Sequence, residues 1–153
     1  MSSFAVASSL FAAVLLLATT PRTLAAAPVT DSSATLAKMK ITIGPHVFSA
    51  TLADNETAAA FRARLPLTLT MHDVNENEKA FDLPARLPTA DIDPRAIRAG
   101  DLMLWRSRTV VVFYKNFPTS YRYTRLGRID DPAGLAQALG SGDVTVSFAV
   151  ADR

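Results

Sequence analysis

The stretch KMKITIGP, residues 38–45, sets the pattern that decides the fold. Every second residue from Met39 to Ile43 is apolar and the residues between them are polar, which is the period of a half-buried β-strand. Gly44-Pro45 is a turn signal, and a second alternating run follows at residues 48–52. The stretch therefore predicts a β-hairpin.

The same period of two recurs along the chain. Residues 65–71 and 144–150 alternate in the same way. Two runs in the middle, 102–105 and 110–114, are apolar at every position, so we expect them at the centre of the structure with both faces buried. Residues 74–99 are rich in proline, asparagine and charge, which predicts long loops or short edge strands.

Two segments have the pattern of short helices. The first runs through residues 58–64, with Asp54 or Asn55 as its N-cap and Pro66 as its stop. The second follows Asp131-Pro132. Seven or eight strands with two short helices predict a single, mainly β domain closed into a barrel, because a barrel leaves no strand edges to pair wrongly.

The first 25 residues differ from the rest of the chain. Arg22 is their only charge, and the apolar run 10–18 has the length of a signal-peptide core and is too short to span a bilayer. We predict an exported protein, periplasmic or secreted. An uncleaved N-terminal anchor is the alternative, because no basic residue precedes the apolar run. The predicted divisions are a signal peptide at 1–25, a flexible leader at 26–37 and a barrel domain at 38–150.

Composition excludes several chemistries. The 153 residues include no cysteine and two histidines, so disulfides, thiolate nucleophiles and cysteine-held metals are excluded. The sequence has no phosphate-binding glycine loop and no strand–Ser–helix elbow. We therefore predict no metal and no cofactor.

Charge is distributed unevenly. Without Arg22 the exported chain has 15 basic and 14 acidic residues, a net charge of +1, so we expect no nucleic-acid partner. Residues 95–128 carry 8 basic side chains and only one acid, Asp101. These arginines either pair with acids from other segments or form a positive face for an acidic ligand.

Several blocks of the sequence together resemble a known family. The blocks are residues 54–58, 65–71, 77–79, 100–105 and 121–129. In this order and spacing they resemble the small bacterial cyclophilin-like domain family, from Lys38 to Phe148. The resemblance implies a cyclophilin-type barrel of eight strands with a helix at each end.

The resemblance implies less about activity. True cyclophilins are peptidyl-prolyl isomerases with a catalytic arginine in a Phe-His-Arg block, and this chain has no such block. His46 and His72 are not followed by arginine. No catalytic residue is therefore transferred from the family, and enzyme activity stays uncertain.

The residues nevertheless suggest a binding groove. If 121–128 is a strand, Tyr121, Tyr123 and Arg125 share one face. Three more apolar side chains could complete a pocket for a peptide or small molecule: Met71, Tyr114 and Phe117. The alternatives are that these aromatic side chains only pack the core, or that the groove belongs to a weak or atypical prolyl isomerase. In that isomerase Arg125 would donate a hydrogen bond to the amide nitrogen.

A second candidate lies in the polar block before residue 80. Asn77 and Glu78 either form a polar edge of the binding site or belong to a turn in which Asn77 accepts a strained backbone angle.

Overall fold

A computed structural model of the chain describes residues 36–151. Eight antiparallel strands form a closed barrel, two further short strands pair with each other, and there are two short helices. The predicted mainly β barrel with two helices is therefore confirmed. The predicted signal peptide at 1–25 and the predicted leader up to residue 35 lie outside the described residues.

The elements follow one another along the chain as ten strands and two helices. The strands are β1 Lys38–Ile43, β2 His46–Leu52, β3 Leu67–Val74, β4 Glu78–Asp82, β5 Ala96–Ile97, β6 Asp101–Trp105, β7 Thr109–Phe113, β8 Phe117–Pro118, β9 Thr124–Ile129 and β10 Val144–Val150. The helices are α1 Glu56–Arg62, between β2 and β3, and α2 Leu135–Leu139, between β9 and β10.

Strand order around the barrel differs from strand order along the chain. The order is β1-β10-β3-β4-β7-β6-β9-β2, and β2 pairs with β1 to close the ring. The hairpin of β1 and β2, with Ile43 opposite His46, is the hairpin that the sequence predicts. Strands β5 and β8 pair outside the barrel, with Ile97 opposite Phe117.

Strands β6 and β7 bury both of their faces. On one face Leu102 and Val112, which pair across the two strands, belong to the large cluster that fills the barrel. On the other face Met103 and Val111 belong to a smaller cluster, which also contains Tyr123. The prediction that these uninterrupted apolar runs are buried at the centre of the structure is confirmed.

The two helices add to the barrel core. Asn55 is the N-cap of α1, and its side-chain oxygen accepts a hydrogen bond from the backbone N–H of Ala58 at 2.8 Å. Phe61 of this helix packs edge-on against Phe148, with ring centroids 5.9 Å apart. Helix α2 contributes two buried leucines to the same cluster. None of the described helices is long and apolar enough to cross a membrane.

The structure corrects the sequence interpretation at β4. Residues 78–82 were expected in a loop or edge strand, but β4 pairs with β3 and β7 inside the closed ring. The apolar alternation is hidden because Lys79 occupies an inward position and is fully buried. Its ammonium group forms an ion pair with Asp73 and donates to the carbonyl oxygen of Gly142 at 2.6 Å.

Helix α2 also begins later than predicted. Its first residue is Leu135, with Gly134 as the N-cap, although the sequence suggested a start at Asp131-Pro132. The carboxylate of Asp131 instead accepts a hydrogen bond from the backbone N–H of Ala133. A local turn therefore uses the residue that looked like a helix cap.

One close approach between strands supplies a test of barrel closure. Gly127 on β9 lies opposite Leu52 on β2, and a Cβ added to Gly127 would lie 2.4 Å from the carbonyl oxygen of Thr51. Backbone cannot yield as a flexible side chain does, so Gly127→Ala should separate the two strands. We expect the free energy of unfolding, measured by urea denaturation, to fall by about 3 kcal/mol or more.

Gly134→Ala is the matched control for this substitution. An added Cβ at Gly134 meets no atom within 4 Å, although its φ of 77° is costly for alanine. We expect this variant to lose only about 1 kcal/mol. Equal losses in the two variants would contradict the argument that Gly127 is required by close packing of the strands.

Candidate functional site

A groove of about 560 Å³ lies on the outer face of the barrel, over β3, β4 and β7. We call it the outer groove. Its floor is formed by the outward side chains of three neighbouring strands, and its walls are aromatic. The floor residues are His72, Val74, Glu78, Ala80, Asp82, Thr109 and Val111, the aromatic wall residues are Trp105, Phe117, Tyr121 and Tyr123, and Asn75, Asn77 and Phe81 also line the groove.

The aromatic walls are held in place by packing against the outer face of the barrel. The ring of Phe113 on β7 lies 5.5 Å from Tyr123, edge-on, and 5.6 Å from Phe117. Tyr123 also exchanges two backbone hydrogen bonds with Ile92. Tyr121 remains 64% exposed, so its ring is free to contact a ligand.

Trp105, the single tryptophan of the chain, stands at the end of β6 beside the groove. The turn that follows has positive φ at Arg106 and Ser107 and brings the Arg106 guanidinium to 4.3 Å from the centre of the Trp105 ring. Contact with a cation is therefore already present at one edge of the aromatic wall.

The turn between β3 and β4 places two polar side chains in the groove. The strained backbone angles fall on Asn75 and Glu76, with φ of 54° and 56°, rather than on Asn77 as the turn interpretation expected. The backbone carbonyl of Asn77 accepts a hydrogen bond from Tyr114, whereas its side-chain oxygen is buried and has no partner among residues 36–151. Glu78 follows as the first residue of β4.

Glu78 is a half-buried carboxyl group in the lining of the groove. Burial raises its pKa from the ordinary value of 4.5 to about 7, because desolvation disfavours the charged form. The pKa of Tyr123 is also raised, to about 12, first by burial and then by the charge of Glu78. Near neutral pH the carboxyl group of Glu78 is therefore close to half ionised.

Five residues singled out by the sequence analysis meet in the outer groove. They are Phe117, Tyr121, Tyr123, Asn77 and Glu78. Aromatic side chains from one segment and polar side chains from another thus form a single surface, although about 40 residues separate them along the chain.

The structure places the other three predicted groove residues elsewhere. Met71 is fully buried in the barrel core, because Leu69 and Met71 point inward and His72 takes the outward position. Tyr114 continues the inward phase of Val112, packs against the core and donates its hydroxyl to Asp73 at 2.9 Å. Half of the six predicted groove residues therefore lie away from the outer groove.

Arg125 is the third of these, and its position also corrects the isomerase hypothesis. It lies on β9, exposed and opposite Met103, and is not among the residues that line the groove. Strand β6 separates β9 from β7, so Arg125 stands beyond the strands that form the groove floor. Sharing a face with Tyr123 does not bring it to the same site.

Beneath the turn, an inward polar cluster of Asp73, Lys79 and Tyr114 supports the groove. The hydrogen bond and charge of Lys79, together with the hydroxyl of Tyr114, lower the pKa of Asp73. The pKa of Tyr114 is raised to about 12, chiefly by burial and then by its hydrogen bond to Asp73. Asp73 also accepts from the backbone N–H of Glu76, so the cluster fixes the turn that carries Asn77 and Glu78.

The sequence analysis missed the remaining lining residues. His72 and Val74 could have been found by extending the alternation of β3 past Met71, since outward positions follow inward ones. Ala80 and Asp82 depend on recognising β4, which the inward Lys79 hides. The sequence analysis places Val111 in a buried strand, and Thr109 lies just before that run, outside any predicted element.

One interpretation of the basic segment 95–128 is that its side chains form ion pairs with acids from other segments. Among residues 36–151 the structure shows no such pair. Within residues 36–151, the segment's one ion pair joins Arg128 to Asp101 at 3.2 Å, inside the same segment. Arg108 and Arg122 donate to backbone carbonyls instead, at 2.9 and 2.7 Å. Among the described residues, no three His, Asp or Glu side chains lie close enough together to hold a metal ion.

The burial of Glu78 predicts a specific pH dependence of stability. Its folded-state pKa lies above the unfolded value, so folding favours the protonated form and stability falls as pH rises from about 4.5 to 7. Glu78→Gln keeps the shape and removes the charge. We expect it to raise the free energy of unfolding by about 2 kcal/mol at pH 8 and to change little at pH 4.

Denaturant titrations at the two pH values measure this difference. Glu76→Gln, on the exposed part of the same turn, is the matched control, with an expected change below about 0.5 kcal/mol at either pH. A Glu78→Gln variant that is no more stable than the native chain at pH 8 would contradict the buried, unpaired state of this carboxyl.

Comparison with known proteins agrees with the observed fold. The Cyclophilin-like family model matches residues 41–149. The solution structure of a hypothetical protein from Archaeoglobus fulgidus is similar, with a TM-score of 0.51 and 16% identity, over 76% of this chain and 95% of that one. At this identity the likeness concerns the fold alone, and comparison with curated proteins gives no match. Because the family model spans more than two thirds of the sequence and the barrel closes as described, this chain belongs to the cyclophilin-like family.

Proposed function

We propose that this protein is a binding module whose outer groove takes a short peptide segment or a small molecule. The observation that carries the proposal is the groove itself, a cavity of about 560 Å³ with aromatic walls and a floor on which apolar and polar side chains alternate. Pockets that bind small ligands usually have volumes of about 300–1,000 Å³, mostly apolar linings and a few polar groups that orient the ligand.

The lining provides both parts of such a site. Trp105, Phe117 and Tyr121 offer ring surface, and aromatic contacts bury large areas at low entropic cost. The walls rest on barrel strands and are fixed by the packing of Phe113 against Tyr123 and Phe117. The groove is therefore largely formed before a ligand arrives, which lowers the cost of binding.

Binding is better supported than prolyl isomerisation. An isomerase of the cyclophilin type needs a hydrogen-bond donor beside the prolyl nitrogen, and Arg125, the residue suggested for that role, lies outside the groove. No arginine is among the groove residues described. The proposal further includes export, which rests on the signal-peptide pattern of residues 1–25.

Tyr121→Ala tests the location of the site. The tyrosine side chain is exposed and lines the groove, so its removal should weaken binding without unfolding the barrel. With the peptide Ala-Phe-Pro-Phe as probe, we expect the dissociation constant to rise about five- to tenfold. Because Trp105 is the single tryptophan and lines the groove, its fluorescence reports the titration directly.

Arg125→Ala is the control for this titration. It removes an exposed side chain of the neighbouring surface, and we expect it to leave the affinity within about twofold of the native value. Loss of binding in Arg125→Ala with none in Tyr121→Ala would move the site to β9 and overturn the proposal.

Two-dimensional NMR exchange spectroscopy on the same peptide separates binding from catalysis. Uncatalysed cis–trans exchange takes tens of seconds, so a pure binder gives no exchange cross-peaks at sub-second mixing times. We expect none with substoichiometric protein. Cross-peaks that persist in Arg125→Ala and vanish in Tyr121→Ala would instead show that the groove is an isomerase site.

A further inference from the structure

Two acceptor groups of the outer groove have no hydrogen-bond partner among the described residues. The side-chain oxygen of Asn77 is buried and unpaired, and the carboxyl group of Glu78 has burial as the only cause of its altered pKa. The other groove carboxylate, Asp82, already accepts from the hydroxyl of Thr109 at 2.6 Å. His72 is paired with Asp143 at 3.0 Å. A ligand that supplies a hydrogen-bond donor or a positive charge would therefore complement these unpaired acceptors.

The aromatic walls have the same preference. Ring faces carry partial negative charge and attract ammonium and guanidinium groups within about 6 Å. Trp105 already holds the guanidinium of Arg106 in this way at 4.3 Å. Tyr121 and Phe117 present further ring surface to the groove.

We propose that the outer groove selects a basic side chain, the ammonium or guanidinium group of a lysine or arginine in the bound peptide, with Glu78 as its counter-ion. This inference rests on the proposed binding function and adds the chemical class of the ligand. The apolar stem of such a side chain lies along the aromatic walls, while its charged end reaches the β3–β4 turn.

Other ligand classes fit the groove less well. An anion would be repelled by the carboxylates of Glu78 and Asp82 and could not donate a hydrogen bond to them. A wholly apolar ligand would cover the half-buried carboxyl group of Glu78 without supplying a donor, which is costly because an unsatisfied acceptor loses its remaining hydration. A basic group on an apolar stem satisfies both requirements.

Binding of a cation should also depend on pH. The ionised form of Glu78 attracts the ligand, so affinity is highest above its pKa of about 7 and falls below it to the affinity of the neutral carboxyl. The other ionisable groups around Glu78 are His72 on β3, Asp82 on β4, Glu76 on the turn, Tyr114 after β7 and Tyr121 and Tyr123 before β9, with Asp73 and Lys79 paired on the inner side and Arg106 at the groove edge.

Three acetylated tetrapeptide amides that differ at one position test the inference: Ala-Lys-Pro-Phe, Ala-norleucine-Pro-Phe and Ala-Glu-Pro-Phe. Norleucine keeps the lysine stem and removes the charge. At pH 8.5 we expect the lysine peptide to bind at least tenfold more tightly than the norleucine peptide, and the glutamate peptide most weakly. At pH 5.5 the lysine preference should nearly disappear.

Matched variants assign the preference to Glu78. Glu78→Gln should reduce the lysine preference to within twofold, chiefly by weakening the binding of the lysine peptide. Glu76→Gln should keep the preference, and His72→Gln should keep its pH dependence. Because Glu78→Gln is expected to be more stable than the native chain, its lost preference would not reflect unfolding.

The outcomes separate this inference from the proposed function. Equal binding of the lysine and norleucine peptides would overturn the basic-side-chain inference and leave the binding function standing. Failure of all three peptides to bind the folded protein would overturn both the basic-side-chain inference and the proposal that the groove binds peptides. Glu78-dependent binding of phenethylamine without binding of the lysine peptide would replace the peptide ligand by a small free amine.

Discussion

The need to bury both faces of β6 and β7 governs the rest of this structure. Their inner face fills the barrel, and Met103, Val111 and Phe113 form an equally apolar outer face. Exposure of this outer face to water would cost free energy. The chain covers part of this face with the strand pair β5–β8 and with Tyr123, which is 5% exposed. The outer groove lies over the rest of this face, and Val111, although only 1% exposed, is among its lining residues.

Strand β4 carries an ionisable side chain on each face, one with an ion-pair partner and one without. Lys79 points inward and has an ion-pair partner, so its burial is compensated by Asp73 and by a carbonyl oxygen. Glu78, one residue earlier, points into the groove and has no such partner. Its burial therefore raises its pKa. The inner cluster thus contributes stability and a fixed turn, whereas the outer carboxyl is left available for interaction with another molecule.

Period-two alternation was enough to predict the hairpin at 38–52, the final strand and the central position of β6 and β7, because each depends on local burial. It could not predict β4, where the inward position holds Lys79 instead of an apolar residue. The site depended on more than alternation. The structure brings Phe117, Tyr121 and Tyr123 together in the outer groove and places Met71 and Arg125 elsewhere, because residue spacing does not reveal which face is inside or which strands are neighbours.

The pairing that closes the barrel also brings the two ends of the domain together. Met39 on β1 lies opposite Val150 on β10, and the backbone N–H of Ala151 donates to the carbonyl oxygen of Lys38 at 3.2 Å. A short linker could therefore join residue 151 to residue 38, and new ends could be opened at an exposed turn elsewhere. The same geometry would allow the barrel to be inserted whole into a surface loop of another protein without pulling the host loop apart.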